Sequence, residues 1–403
     1  MEARQQREIR GQELARTYNK RFKFEDGFFL VPSETDLNRK YKVDVFDQRC
    51  DCHDFVVNHQ KCKHLYAAEV CDGAAQLRPR TVPLRPTYSQ KWPAYHTAQM
   101  NEKALFLQLL RELCKGIEQP EQFNGRPSLP IADQLFACAF KVYSTVSSRR
   151  FYTDLVDIQQ KGFISETPHY NSLIRYFEKE SLTPLLQRLI EESAKPLAAL
   201  EMNFAVDASG LGTANGFTWF WAKFTNPKMI DLKDWLKIHC SVGTLTNVIC
   251  AVEVTEKWAH DGKYFNELLD RTAKNFDVHR VTADKAYLSE KNLAHALDKG
   301  IDPYIAWKSD SKPGNKKDSA WYRLFQYYAL NKEEFSIHYH LRSNVETAFY
   351  MLKTKFGGTL KSKTRVAQTN EALCKVLCHN LCCLIQSMHE FDVMPEFLNL
   401  EAE

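Results

Sequence analysis

The stretch 203–210, NFAVDASG, decides the fold. An apolar run, Phe204–Val206, meets Asp207 and then small, turn-forming residues. That pattern reads as a buried strand ending at a carboxylate. Similar β-rich runs follow: WLKIHCSVG (235–243), NVICAVEVTE (247–256) and HRVTADKAY (279–287). YFNELLDRTAKNF (264–276) and SEKNLAHALDKG (289–300) space their apolar residues by three and four, as amphipathic helices do. A last strand, DPYIAWK (302–308), leads through a charged loop to helical segments over roughly 318–389. Strands first, then alternating helices and strands, predict an α/β unit with a mixed sheet flanked by helices.

Upstream, the periodicity changes. FLQLLRELCKGI (106–117), IADQLFACAFKVYSTV (131–146) and LTPLLQRLIEESAKPLAAL (182–200) predict a helical region over 100–200. Within it, SSRRFYTDL (147–155) and HYNSLIRYFEK (169–179) fit either a helix-turn-helix-like pair that reads DNA or plain helical packing. Residues 76–99 hold four prolines without periodicity and are expected to be a linker. The basic N-terminus carries a charged helix around Glu8–Tyr18, and 1–75 forms a first small unit. The catalytic segment is expected to run contiguously over 201–391, with 392–403 as a tail.

Composition narrows the classes. The chain has 403 residues, 44% of them hydrophobic and 12% aromatic, enough for two or three domains with real cores. Lys and Arg number 54 against 50 acids, a net of +4, which alone does not prove a nucleic-acid partner. No apolar run approaches the roughly 18 residues of a membrane span, and the first residues lack an apolar signal segment. The expectation is a soluble cytoplasmic protein without a membrane partner. Twelve cysteines without a secretory signal do not read as a disulfide framework, and Cys138, Cys240 and Cys250 lie in apolar stretches as small hydrophobes.

Three cysteines break that pattern. Cys50, Cys52, Cys62 and His64 form C-x-C-x9-C-x-H. Two close pairs of thiolate and imidazole donors suit tetrahedral zinc, and a closed set of four leaves no open position, so the site is structural. His53 and His59 break the paired spacing and are expected at the surface. With the strand YKVDVF (41–46) before it and the helix HLYAAEV (64–70) after it, the cluster resembles the SWIM zinc finger. That resemblance implies a DNA or protein partner without choosing between them.

Asp207 and Asp284 both end strands, and carboxylates at neighbouring strand ends can converge on one point. Capping or turn roles are the alternative for each alone. A third element raises their value. Tyr339, Arg342, Glu346 and Lys353 follow spacings of 3, 4 and 7, which on one continuous helix confines them to a stripe of about 60°. At this point the chain resembles a DDE insertion-sequence transposase. The signature Y-x2-R-x3-E-x6-K is filled at every position, and the two aspartates stand where the family's first two acids belong.

The resemblance covers about 203–389. It implies an RNase H-like fold with Asp207 and Asp284 on the first and fourth strands and Asp207, Asp284 and Glu346 as catalytic acids. It also implies metal-dependent DNA cleavage and strand transfer, by cut-and-paste through hairpin ends. Three carboxylates of this kind can hold two Mg²⁺ ions about 3.5–4 Å apart. Arg342 and Lys353 then hold phosphates and Tyr339 hydrogen-bonds one. A homodimer on double-stranded DNA, transposon ends and target, is implied as well. The basic segment KTKFGGTLKSKTR (353–365) adds Lys355, Lys361, Lys363 and Arg365 as DNA contacts, with a solvated loop as the alternative. The loop 308–317 is basic but carries two aspartates. Glu253, Glu256 and Asp261 compete for metal, with capping and surface roles favoured. Trp307 and Trp321 are either core residues or stacking platforms for an extruded base. Rival functions are a non-catalytic regulator derived from a transposase and a nuclease that cuts without joining.

Overall fold

The computed structural model describes residues 2–25, 28–34, 39–75, 90–121, 128–213 and 234–398. The chain forms two compact units that interleave in sequence. One comprises Met1–Pro83, Leu288–Asp302 and Trp307–Tyr339, the other Leu84–Tyr287, Pro303–Ala306 and His340–Glu403. This departs from the serial order expected above: most of 288–339 belongs with the N-terminal unit. Most of the linker, 76–89, lies outside the described residues, and its end is already helical from Trp92, with Pro93 in the first turn, where a missing N–H is harmless.

In the N-terminal unit, helix α1 (Glu2–Tyr18) precedes an antiparallel sheet of β1 (Lys23–Glu25), β2 (Phe28–Pro32), β3 (Lys40–Asp44) and β4 (Arg49–Cys50). Two helices follow, α2 (His53–Asn58) and α3 (Lys63–Ala75). Leu14, Val31, Val43, Leu65 and Ala68 form its dry centre. α1 approaches α3 so closely that a Cβ on Gly11 would meet the Tyr66 Cβ at 2.5 Å, so only glycine fits there.

The second unit opens with five helices: α4 (Trp92–Lys115), α5 (Ile131–Ser144), α6 (Tyr152–Gln160), α7 (Tyr170–Phe177) and α8 (Leu182–Ala194). Residues 161–169 separate α6 from α7. That is too long for the three- or four-residue turn of a helix-turn-helix. A sheet of β5 (Asn203–Thr213), β6 (Trp235–Gly243), β7 (Ile249–Glu256), β8 (Arg280–Ala283) and β9 (Asp302–Ile305) follows in the order β7-β6-β5-β8-β9, and β10 (Thr359–Leu360) pairs with the end of β5. β5, β6 and β7 are antiparallel neighbours, while β8 runs parallel to β5. The mixed sheet and its helical cover are as the sequence predicts.

Helix α9 (Phe265–Ala273) lies between β7 and β8, and α10 (Glu290–Asp298), α11 (Ala320–Leu330) and α12 (Lys332–Tyr339) belong to the N-terminal unit. α13 (Ser343–Phe356) packs on β5 and β6. The 26-residue α14 (Arg365–Glu390) is buried on most of its surface by α4, α5, α8 and β7. The helical region therefore shares one core with the sheet. Asn380 shows how: its amide bonds both the N–H and the C=O of Ile249, at 2.9 and 2.8 Å, and so closes the outer edge of β7 from α14. Cys138, Cys240 and Cys250 are buried, and burial pushes each thiol up, away from the reactive thiolate.

Candidate functional sites: a zinc-type cluster and an acidic site on the sheet

Local backbone geometry assembles the first site. Cys50 ends β4 opposite Val43. Cys52 caps α2, its carbonyl accepting from the N–H groups of Phe55 and Val56 at 3.1 and 3.0 Å. Cys62 immediately precedes α3, where its carbonyl accepts from Tyr66 N–H at 3.2 Å, and His64 is in the first turn of that helix. Two of the sulfurs therefore sit at helix N-termini, where the dipole favours thiolate.

All four residues are buried and their donor atoms lie within 4.8 Å of one another. Neither ring nitrogen of His64 makes a hydrogen bond of regular geometry, although the ring lies close enough to Cys52 to favour its thiolate. Hydrogen bonds from Cys50 and Cys62 hold the Cys52 thiol far below its usual range, while the same sharing pushes Cys50 up. A buried imidazole without a regular hydrogen bond, facing three crowded thiols, fits a zinc ion's donor set. His53 and His59 are exposed, as expected.

The second site is built on the sheet. Asp207 does not end its strand as the sequence suggests: β5 runs on to Thr213 because β6 keeps pairing with it past Asp207, while the parallel pairing of Val206 with Ala283 sets Asp207 beside Asp284, the residue after β8. Asp284 turns the chain, accepting from its neighbour Lys285 N–H at 2.5 Å, and its carbonyl accepts from Tyr287 N–H at 2.9 Å.

The third acid arrives on a broken helix. α12 ends at Tyr339, a 3-10 turn covers His340–Arg342, and α13 starts at Ser343. One continuous helical stripe, as the spacing predicts, is thus absent. Tyr339 stacks on Phe335 one turn earlier in its own helix, ring centroids 6.3 Å apart. The 3-10 turn packs on β5 and β8 and carries Arg342 to Asp207. Its guanidinium donates to Asp207 at 3.1 Å and to Glu346 at 2.5 Å. Lys353, three turns along, donates to Ser209 Oγ at 2.7 Å, and burial lowers its pKa.

Burial raises the Asp207 carboxyl above the usual aspartate value. Asp284 and Asp261 add to the rise, and the Ala208 N–H and Arg342 oppose it. Asp261, which the sequence offers as a competing acid with a capping or surface role favoured, is the one of the three competitors whose charge is felt at Asp207. It opens a 3-10 turn, pairs with Lys237 at 2.7 Å, and its turn abuts that of Asp284 closely enough that a Cβ on Gly262 would meet Ala286 O at 3.1 Å. Lys237 on β6 holds it in place, a contact that its sequence position does not reveal. Glu253 is tied to Gln187 and Arg271, and Glu256 to Arg365.

The basic segment is less free than its sequence implies. Lys355 pairs with the buried Glu102, which also accepts from Tyr143 Oη at 2.7 Å. Lys361 Nζ donates to Thr145 O at 2.8 Å, and Arg365 reaches Asp234 at 3.4 Å and Glu256 at 3.3 Å. Lys363 is exposed. In the N-terminal unit Trp307 and Trp321 pack edge-to-face at 4.8 Å, and Lys317 of the basic loop pairs with Glu8 at 3.0 Å.

Residues 200–381 match the family model of the transposase DDE domain. The match spans 182 of the chain's 403 residues. Residues 36–72 match the SWIM zinc finger, which spans all four zinc-type ligands. No curated protein matches the chain. Among the described residues, no helix is long and apolar enough to cross a membrane.

Proposed function

We propose that this protein is a DNA transposase that cuts at the ends of a mobile element and joins the freed ends to a target. The reading is carried by Asp207 in the middle of β5 beside Asp284 just past the end of β8, with Arg342 linking Asp207 to Glu346. Asp207, Asp284 and Glu346 are the acids that would hold Mg²⁺. They suit it chemically: hard oxygen donors are grouped, and Asp207 is pushed toward its neutral form by burial and neighbouring carboxylates. When bound, divalent ions supply the charge that keeps such acids ionised together and polarise the phosphodiester.

The chain's own groups do the rest. Arg342 and Lys353, held near Asp207 and Ser209, are placed to exchange those partners for phosphate oxygens of the scissile strand. Tyr339 joins them on the strength of the signature alone. Water adds to phosphorus, the P–O3′ bond breaks, and the 3′-oxygen leaves as a hydroxyl carrying the water's proton. That hydroxyl then attacks a target phosphodiester, forming one P–O bond as another breaks. Cut-and-paste movement through hairpin ends and pairing of two ends by a dimer follow from the family likeness. Lys363 is the cation of the 353–365 segment best presented to DNA.

The test is Mg²⁺-dependent cleavage of DNA spanning the ends that flank the gene, with wild type beside Asp207→Asn. Boundary cutting and end joining by wild type alone support the proposal. Specific binding without cutting points to a regulator, and cutting without joining to a nuclease. Cutting that survives in Asp207→Asn refutes the assignment of the acids.

A further inference from the structure

Lys353 is held along its stem and again at its head. The stem lies against the turn that ends α13: a Cβ built on Gly358 would meet the lysine's Cγ and Cδ at 3.9 Å. That turn is fastened to β5, because Gly212 N–H donates to Gly358 O at 3.0 Å and Thr359 pairs with Gly212. From α14 the buried Lys375 donates to Gly357 O at 2.8 Å and to Thr359 O at 2.7 Å, which fixes the same turn a second time. The stem therefore runs along a rigid wall.

The head is held by a smaller contact. Lys353 Nζ donates to Ser209 Oγ at 2.7 Å. Ser209 follows Asp207 by two residues on β5, so alternation along the strand puts both side chains on one face, roughly 7 Å apart. On that face Asp207 receives Arg342 and Ser209 receives Lys353. The two partners differ in kind. A carboxylate neutralises the cation that it holds, whereas a hydroxyl fixes the direction of an ammonium and leaves its charge available.

We propose that Ser209 is a positioning residue for DNA cleavage, its hydroxyl holding the Lys353 ammonium over β5, still charged, where a phosphate of the scissile strand can take it. The inference rests on the transposase reading above and adds to it a residue outside the three acids and the spaced signature. Serine suits the task by its chemistry. Alanine would leave the ammonium to find its phosphate from many rotamers, with the entropy lost only when DNA binds. Aspartate would neutralise it before DNA arrives. Threonine keeps the hydroxyl, and its branched side chain is well tolerated in a strand.

The test is a double-mutant cycle on the full chain. Mg²⁺-dependent cleavage of the end-spanning DNA is timed in wild type, Ser209→Ala, Lys353→Ala and the double variant, with Ser209→Thr alongside. Ser209→Ala is expected to lower kcat/KM about 10- to 100-fold, the scale of a lost hydrogen bond to a charged group. Ser209→Thr is expected to keep most of the wild-type rate. In the Lys353→Ala background Ser209→Ala is expected to cause no further loss, because the serine acts through the lysine. The same cycle is read on affinity for that DNA, which covers a Lys353→Ala chain too slow to time. Wild-type cleavage and binding by Ser209→Ala overturn the inference. So does an equal loss in both backgrounds, or a Ser209→Thr chain as impaired as Ser209→Ala, since either marks a packing role. Those results leave the transposase reading standing while wild type cuts in an Asp207-dependent way. If wild type does not cut, both fall.

Discussion

The zinc-type cluster and the acidic site solve opposite problems. Cys50 to His64 is one short stretch, its donors are buried, and they already lie within 4.8 Å of one another. Asp207, Asp284 and Glu346 come from three distant segments, and Arg342 links the first to the last. A closed set of soft donors suits a permanent structural ion, whereas an open set of hard donors suits an ion that shares its coordination with substrate. Among the described residues, the cysteine–histidine group is the one that meets a tight-clustering criterion for metal. The acids do not converge as tightly, which fits a site whose final geometry depends on ions and DNA.

That contrast predicts its largest effect at the zinc site. Structural zinc in finger peptides contributes apparent binding energies of about 10–16 kcal/mol near neutral pH, and that energy is folding energy. Chelation, or Cys52→Ser, is expected to unfold the segment 39–75 while the sheet of the second unit persists. Hydrogen exchange of the two segments, with metal content by mass spectrometry, reads this directly. Full zinc content and unchanged protection in Cys52→Ser would mean that the ligand set is wrong.

The acidic site is expected to behave in the reverse way, losing activity without losing fold. Asp207→Asn should lower cleavage by at least about a hundredfold, the scale at which one well-placed electrostatic group matters in catalysis. Its effect on stability has the opposite sign. Folding raises the Asp207 carboxyl, chiefly through burial, so its contribution is whole below the unfolded pKa and lost as pH rises through the folded value. Without metal, Asp207→Asn is therefore expected to melt above wild type at neutral pH. The advantage should shrink on acidification toward the ordinary aspartate range. A lower Tm for the variant at neutral pH would show that the Arg342 pairing outweighs the burial.

Both candidate sites could be read as motifs in one dimension: C-x-C-x9-C-x-H on one side, two aspartates after apolar runs and a spaced signature on the other. What stayed hidden depends on contacts across the chain. The 3-10 turn at His340–Arg342 leaves the apolar spacing undisturbed, so periodicity reads straight through it. Asp261 looks like an ordinary turn residue until Lys237 on β6 is seen to hold it. The membership of 307–339 in the N-terminal unit arises from helix packing, such as α11 against α3, that no local pattern encodes. Lys355 belongs to a basic run by sequence, and only its buried partner, 253 positions away, turns it inward.

Lys355 and Lys363 carry the same contrast to its smallest scale, for they lie eight residues apart in one basic segment. Glu102 is buried and bonded to both Lys355 and Tyr143. Burial works to lower the Lys355 ammonium pKa, but Cys382 and Glu102 outweigh it and raise it. Removing the cation leaves a buried carboxylate with neutral donors alone, so Lys355→Ala is expected to destabilise by about 1–3 kcal/mol in urea titration. Replacing Glu102 and Lys355 together by Gln and Met should recover much of that loss. Lys363→Ala should leave the urea midpoint unchanged and reduce the slope of log affinity against log salt by about 1. An unchanged slope would remove Lys363 from the DNA contacts, and a slope change in Lys355→Ala beyond its loss of folded protein would return Lys355 to them.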